Sequence, residues 1–140
     1  MRVPTVSSYA WERYRTDWVQ MDAPRHFFLF STGAVELLAQ KAGFKVRNIV
    51  YDSTSLQIWG SEQYAMDVPL FSRRSLAKNP FARTFSRAQK RGFRELARRL
   101  NEEGRGDQIA VVLEPASLSG VSAGCSGVLG LSPSPSAGET

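Results

Sequence analysis

The stretch STGAVELLAQKAGFKVRNIVYD, residues 31–52, decides the fold class. Ser31 or Thr32 can cap a helix by accepting an unpaired backbone N–H, and Ala34, Val35, Leu37, Leu38 and Ala42 then fall on one apolar stripe. Gly43 can take the left-handed conformation that ends a helix, with Phe44 folding back onto the last turn, so a helix is predicted over 32–42. Val46, Ile49, Val50 and Tyr51 follow as a β-branched and aromatic run, which predicts a strand over 45–51 with at least one buried face. Only Gly43 and Phe44 separate the two elements. The helix therefore packs directly on the sheet that the strand joins, which is α/β layering.

Downstream, Ser86 and Gln89 form a capping-box pair, and Phe93, Leu96, Ala97 and Leu100 follow at helical spacing before Gly104. A second amphipathic helix is predicted over about 86–102, its outer face carrying Arg87, Lys90, Arg91, Arg94, Arg98 and Arg99. QIAVVLEP, closed by Pro115, is a compact apolar run of strand length and predicts a buried last strand over 108–114. Between these, residues 53–84 contain Gly60, Pro69 and Pro80 and sustain no period, so an irregular insertion is expected. Residues 116–140 are rich in Ser, Gly, Ala and Pro, a composition that cannot bury enough apolar surface to offset ordering entropy. They are expected to be a disordered tail, with Cys125 an incidental exposed thiol.

Upstream, residues 1–30 hold no lasting periodicity but are crowded with Tyr9, Trp11, Tyr14, Trp18, Phe27, Phe28 and Phe30. Such rings either pack a core or interface or wall a ligand pocket. At 140 residues, one domain plus a tail is expected. No run approaches the roughly 20 apolar residues of a membrane span, and the first residues lack a signal layout, so a soluble, cytoplasmic chain without a membrane partner is expected. One cysteine and one histidine, His26, do not make a zinc site, and no metal is expected. The net charge of +5 is unevenly spread: residues 1–72 balance seven cations against seven acids, 73–99 hold ten against one, and 100–140 hold one against five. A polyanion could meet the 73–99 segment, but neither a stacking platform nor a recognition helix is legible there, and nucleic acid is not the expected partner.

The blocks DAPRH (22–26), KAGF (41–44), YDST (51–54) and WGSEQY (59–64), followed by NPF, FSRAQ and GDQIAVVLEP, give residues 1–115 a dense similarity of order and spacing. They resemble the C-terminal half of bacterial class I S-adenosylmethionine-dependent methyltransferases. The resemblance implies an α/β, Rossmann-like sheet, here incomplete, that is mostly parallel with one antiparallel strand inserted at its end. Met1–Val6 would be the remnant of a fifth strand, 45–51 the sixth and QIAVVLE the antiparallel seventh. It also implies S-adenosylmethionine as the family's cofactor, seated over strands that precede this segment. The Gly-rich loop and the ribose-binding acid belong there, so no cofactor-binding residue is assigned and none of the cofactor is expected to bind this chain alone. A complementary N-terminal half and a small-molecule or glycan acceptor are the implied partners.

Ligands of open α/β sheets lie beyond the carboxyl ends of the strands. On that side the resemblance places Tyr9, Trp11, Trp18, Asp22 and Arg25 as acceptor-binding residues, with Trp59 and Tyr64 closing the pocket. His26 is the candidate catalytic base, the one side chain whose ordinary pKa suits proton removal near neutrality. Its alternative role is to orient the DAPRH turn, and Asp22 with Arg25 can equally be a local ion pair. Three readings follow: an enzyme that needs a separately supplied half, a basic binding module acting through 73–99, or a truncation without function.

Overall fold

The Ser31 hydroxyl accepts the Ala34 N–H at 3.1 Å and starts helix α2, Thr32–Lys41, as its cap predicts. Gly43, at φ +77°, then reverses the chain into strand β2, Phe44–Tyr51. The computed structural model describes residues 1–22 and 25–116. Within them the elements are β1 (Arg2–Pro4), α1 (Tyr9–Tyr14), two 3-10 turns at Arg15–Asp17 and Val19–Met21, α2, β2, α3 (Ser55–Ala65), α4 (Arg87–Glu102) and β3 (Gln108–Pro115). The expected tail and Cys125 lie outside the described residues, as do Ala23 and Pro24 of the DAPRH block.

The last strand enters the middle of the sheet, giving the order β1-β3-β2. β3 pairs antiparallel with β2 from Phe44↔Pro115 to Tyr51↔Ile109, and antiparallel with β1 from Arg2↔Ala110 to Pro4↔Gln108. The two outer strands therefore run parallel to each other, and the adjacent antiparallel pair of β2 and β3 that the resemblance implies is present. A register shift between Val46 and Asn48 sets Arg47 at a bulge, where it meets Glu114 at 2.5 Å on the exposed edge. Val35 of α2 buries against Ile109 and Val111, with Val3, Phe30, Val46, Ile49 and Leu113 around them. Each of these three buried side chains contributes about 1.5–3 kcal/mol relative to exposure.

Two expectations are corrected. Residues 53–84 are not irregular throughout, because Ser55–Ala65 is helical and opens on a full capping box between Thr54 and Gln57. No apolar period marks α3 because its buried face is largely polar, with Gln57, Ser61 and Gln63 buried beside Ile58. In the opening segment β1 falls inside the strand remnant that the resemblance sets at Met1–Val6, and the departure from an irregular stretch is α1, capped by Ser8, whose hydroxyl accepts the Trp11 N–H at 3.2 Å. Ile58 of α3 packs on Ala97 and Leu100 of α4, with Tyr9, Phe93 and Leu96 alongside, so the insertion and the opening segment share one cluster. Among the described residues no helix is long and apolar enough to cross a membrane.

Candidate functional site

The carboxyl ends of β1 and β2 flank the amino end of β3, and a polar cluster is built at that edge. Thr5, just past β1, donates its N–H to the Asp107 carbonyl at 2.9 Å, and Asp52, just past β2, donates its N–H to the Gln108 carbonyl at 3.0 Å. The Asp107 carboxylate is buried. It accepts the Trp18 Nε1–H at 2.6 Å and the Ser53 hydroxyl at 2.7 Å. Ser53 Oγ in turn accepts the N–H groups of Asp107 at 2.7 Å and Gln108 at 3.0 Å. Burial raises the Asp107 pKa, and the bonds from Ser53 and Trp18 pull it back only in part. Asn101 closes the knot, accepting the Ser53 N–H at 3.0 Å and donating to the Ser53 carbonyl at 2.9 Å. Gly106 is required beside it, since a Cβ there would collide with Asn101 Oδ1 and Ser53 Oγ.

A second polar layer lies beside this knot. Gln108 donates to Asp52 Oδ1 at 3.1 Å and accepts from Gln20 and from Gln57, each at 3.3 Å. Arg2 reaches the other Asp52 oxygen at 2.6 Å. His26, half-buried, has Nδ1 3.0 Å from the Gln20 carbonyl. A carbonyl only accepts, so Nδ1 carries the hydrogen of this bond and Nε2 of the neutral ring keeps its lone pair. The imidazole is thus anchored by one nitrogen and able to take a proton with the other. Gln20, Asp52, Gln57 and Gln108 were not picked out as site residues from sequence; only the tertiary fold assembles them.

The sequence-derived pocket residues divide into three groups. Trp18 is completely buried, edge-to-face with Trp11 at 5.9 Å, and presents no surface to a ligand. Tyr9 packs on the α3–α4 cluster under the Arg105 guanidinium, and Trp11 stands under that of Arg15. Asp22 and Arg25 pair at 3.1 Å across a turn, with Asp22 in the left-handed region at φ 30°. Tyr64 comes close enough to Asp22 to feel its charge: burial first and that carboxylate second raise the phenol's pKa. Trp59 is half-buried on α3. Asp22 thus meets Arg25 and influences Tyr64, and His26 is held beside Gln20, whereas Tyr9, Trp11 and Trp18 serve packing.

The turns after both outer strands direct their N–H groups inward. After β1, those of Val6, Ser7 and Tyr9 go to Phe30 O, Thr5 Oγ1 and Arg105 O. After β2, those of Ser53, Thr54 and Leu56 go to Asn101, Gln57 and Thr54 side chains. Most amides of both turns are thereby engaged within the chain. Among the described residues no three His, Cys, Asp or Glu side chains gather as a metal site. Comparison with protein-family models, with curated proteins and with solved structures finds no match to the chain.

Proposed function

We propose that the chain is the acceptor-side portion of a class I, S-adenosylmethionine-dependent methyltransferase, with the cofactor held by a complementary N-terminal half. The observation that carries this reading is the sheet order β1-β3-β2, in which the last strand runs antiparallel between two parallel ones, as the resemblance implies for the end of that sheet. Two further features support it. β1 is an edge strand of only three residues, and beside it Met1, Phe30, Leu38, Ala42, Phe44 and Leu113 line an apolar groove. Leu37 and Leu38 of α2 are about half exposed. Additional strands and a helix of the same sheet would cover this edge and groove.

In this reading the acceptor, a small molecule or a glycan, sits against Asp22, Arg25, His26 and Tyr64. His26 Nε2 takes the proton of the attacking hydroxyl or amine, while the Gln20 carbonyl holds the ring in place. Asp52, Gln108 and Gln20 orient acceptor polar groups, with the buried Gln57 holding Gln108 in place, because alignment of nucleophile and methyl carbon dominates such a transfer.

The test is titration of the chain with labelled S-adenosylmethionine, alone and after co-expression with an N-terminal methyltransferase half. The chain alone is expected to bind negligibly and the pair to methylate an acceptor. His26→Gln in the pair is expected to lower turnover by about 10²-fold or more with unchanged circular dichroism. Tight cofactor binding by the isolated chain would overturn the division of labour, and full activity of His26→Gln would remove the base.

A further inference from the structure

The segment between α3 and the middle of α4 is built unlike a merely solvated charged face. Its loop is pinned: Gln63 donates to Ser75 Oγ at 2.8 Å and accepts the Leu76 N–H at 3.0 Å, and Thr84 donates to the Arg74 carbonyl at 2.7 Å. Phe85 packs edge-to-face on Phe93 of α4 at 5.0 Å. Yet this held loop leaves two rings in solvent, Phe71 at 73% and Phe81 at 89% exposure. Lys90 of α4 reaches the carbonyls on either side of Phe81, those of Pro80 and Ala82, each at 3.4 Å, so the second ring stands beside the helix. The Lys78 ammonium lies 5.7 Å from the centre of the Phe71 ring.

The cations around these rings are uncompensated. On α4, Arg91, Arg98 and Arg99 pair with Glu95, Glu102 and Glu103, whereas Arg73, Arg74, Lys78, Arg83, Arg87 and Arg94 have no carboxylate partner among the described residues. Arg73, Arg74 and Arg83 line one open cleft together with Asn79 and Thr84. Arg87 and Lys90 stand in the first turn of α4, which holds no acidic residue, so they add to the positive end of the helix dipole instead of opposing it. That arrangement disfavours the free protein and favours an anionic partner.

We infer that this surface binds single-stranded nucleic acid. Phosphates pair with the unpartnered cations, and unpaired bases stack on Phe71 and Phe81. Duplex bases already stack on each other and offer these rings nothing. The cations run from the loop along the first half of a helix about 24 Å long, a linear track suited to a strand backbone.

The whole chain is titrated, by fluorescence anisotropy, with a labelled oligouridylate of about 15 nucleotides over a range of salt. Binding is expected at low salt, with affinity falling steeply as salt rises. Changing Arg73, Arg74 and Arg83 together to Gln should flatten the logarithmic salt slope by about 2. Phe71→Ala with Phe81→Ala should weaken binding about 10-fold while leaving that slope unchanged. Both variants alter exposed side chains, and circular dichroism verifies their fold. The inference is overturned if the oligonucleotide does not bind, if a duplex of the same length competes equally, or if the phenylalanine variant binds as wild type, which would indicate simple polyanion exchange. Binding to phosphatidylserine vesicles without oligonucleotide binding would overturn it in favour of a membrane surface.

Discussion

Trp18→Phe isolates the bond that joins the opening segment to the sheet. The indole is fully buried, and its Nε1–H reaches Asp107 Oδ2 at 2.6 Å. Phenylalanine keeps an aromatic ring but removes the donor, leaving a carboxylate oxygen buried without it. A hydrogen bond to a charged group contributes about 1.5–3 kcal/mol, and the unsatisfied partner makes the upper end apply. The smaller ring leaves a void that adds about 1 kcal/mol. The expected loss is therefore about 3–4 kcal/mol, a large part of the 5–15 kcal/mol typical of a domain.

The same substitution has a pH signature. Asp107 titrates above the ordinary carboxyl value in the folded chain because burial outweighs its hydrogen bonds. Between the unfolded and the raised folded pKa the native state binds more protons than the unfolded one, so stability falls as pH rises through that window and is flat above it. Losing the Trp18 bond removes one of the influences that lower this pKa, and the window extends further upward. The destabilisation of Trp18→Phe is then complete above the variant's folded pKa and shrinks as pH drops through it. Urea unfolding followed by far-UV circular dichroism at several pH values measures both effects. A loss below about 1 kcal/mol at neutral pH, or one that grows on acidification, would refute the account.

Four further outcomes follow from the same knot and from α3. Ser53→Ala removes one donor to Asp107 and an acceptor of two backbone N–H groups, and should cost about 2–3 kcal/mol in urea unfolding. Combined with Trp18→Phe, its effect should depart from additivity by at least about 0.5 kcal/mol in a double-mutant cycle, since both bonds end on one carboxylate. Gly106→Ala forces its new methyl against Asn101 Oδ1 and Ser53 Oγ, and is expected to destabilise by about 1–3 kcal/mol, read as a lower thermal midpoint. Thr54→Ala removes the cap of α3 and should cost about 1 kcal/mol, while Thr54→Ser should restore most of it.

The elements that sequence made legible are those whose buried face is apolar. The stripe of α2 with Gly43, the β-branched run of β2, the QIAVVLEP strand and the Ser86/Gln89 cap of α4 each carry a local signal for the element itself, but not for its burial: Leu37, Leu38 and Val50 stand exposed, and no residue of β2 is fully buried, because β2 is an edge strand and α2 buries only Val35 and Ala39. α3 failed that reading although Thr54 and Gln57 spell a capping box, because Gln57, Ser61 and Gln63 face inward and suppress the apolar period. β1, at three residues, is too short to alternate and is held by backbone pairing with β3. At the site, His26 stood out by chemistry, whereas Gln20, Asp52, Gln57 and Gln108 are residue types that ordinarily face solvent and gain meaning only where strand ends converge. The aromatic residues of the opening stretch left core and pocket wall open, and the burial of Trp18 places that ring in the core.

The polar knot also explains why the setting of His26 is a property of the whole chain. Trp18 and Asp107 are 89 positions apart, and Ser53 and Asp107 are 54 apart, so their bonds close long loops whose entropic cost must be met at once by several contacts. Gln20, whose carbonyl anchors His26, sits two residues beyond Trp18 and is itself tied through its side chain to Gln108, the residue after Asp107. Loosening Asp107 therefore frees both supports of the Gln20 backbone, and the imidazole with them. A change at Ser53, which does not touch His26, should accordingly disturb the ring's Nδ1 bond and be seen as a shift of the His26 imidazole NMR resonances, whereas the exposed Arg47–Glu114 pair at the far end of β2 has no such path.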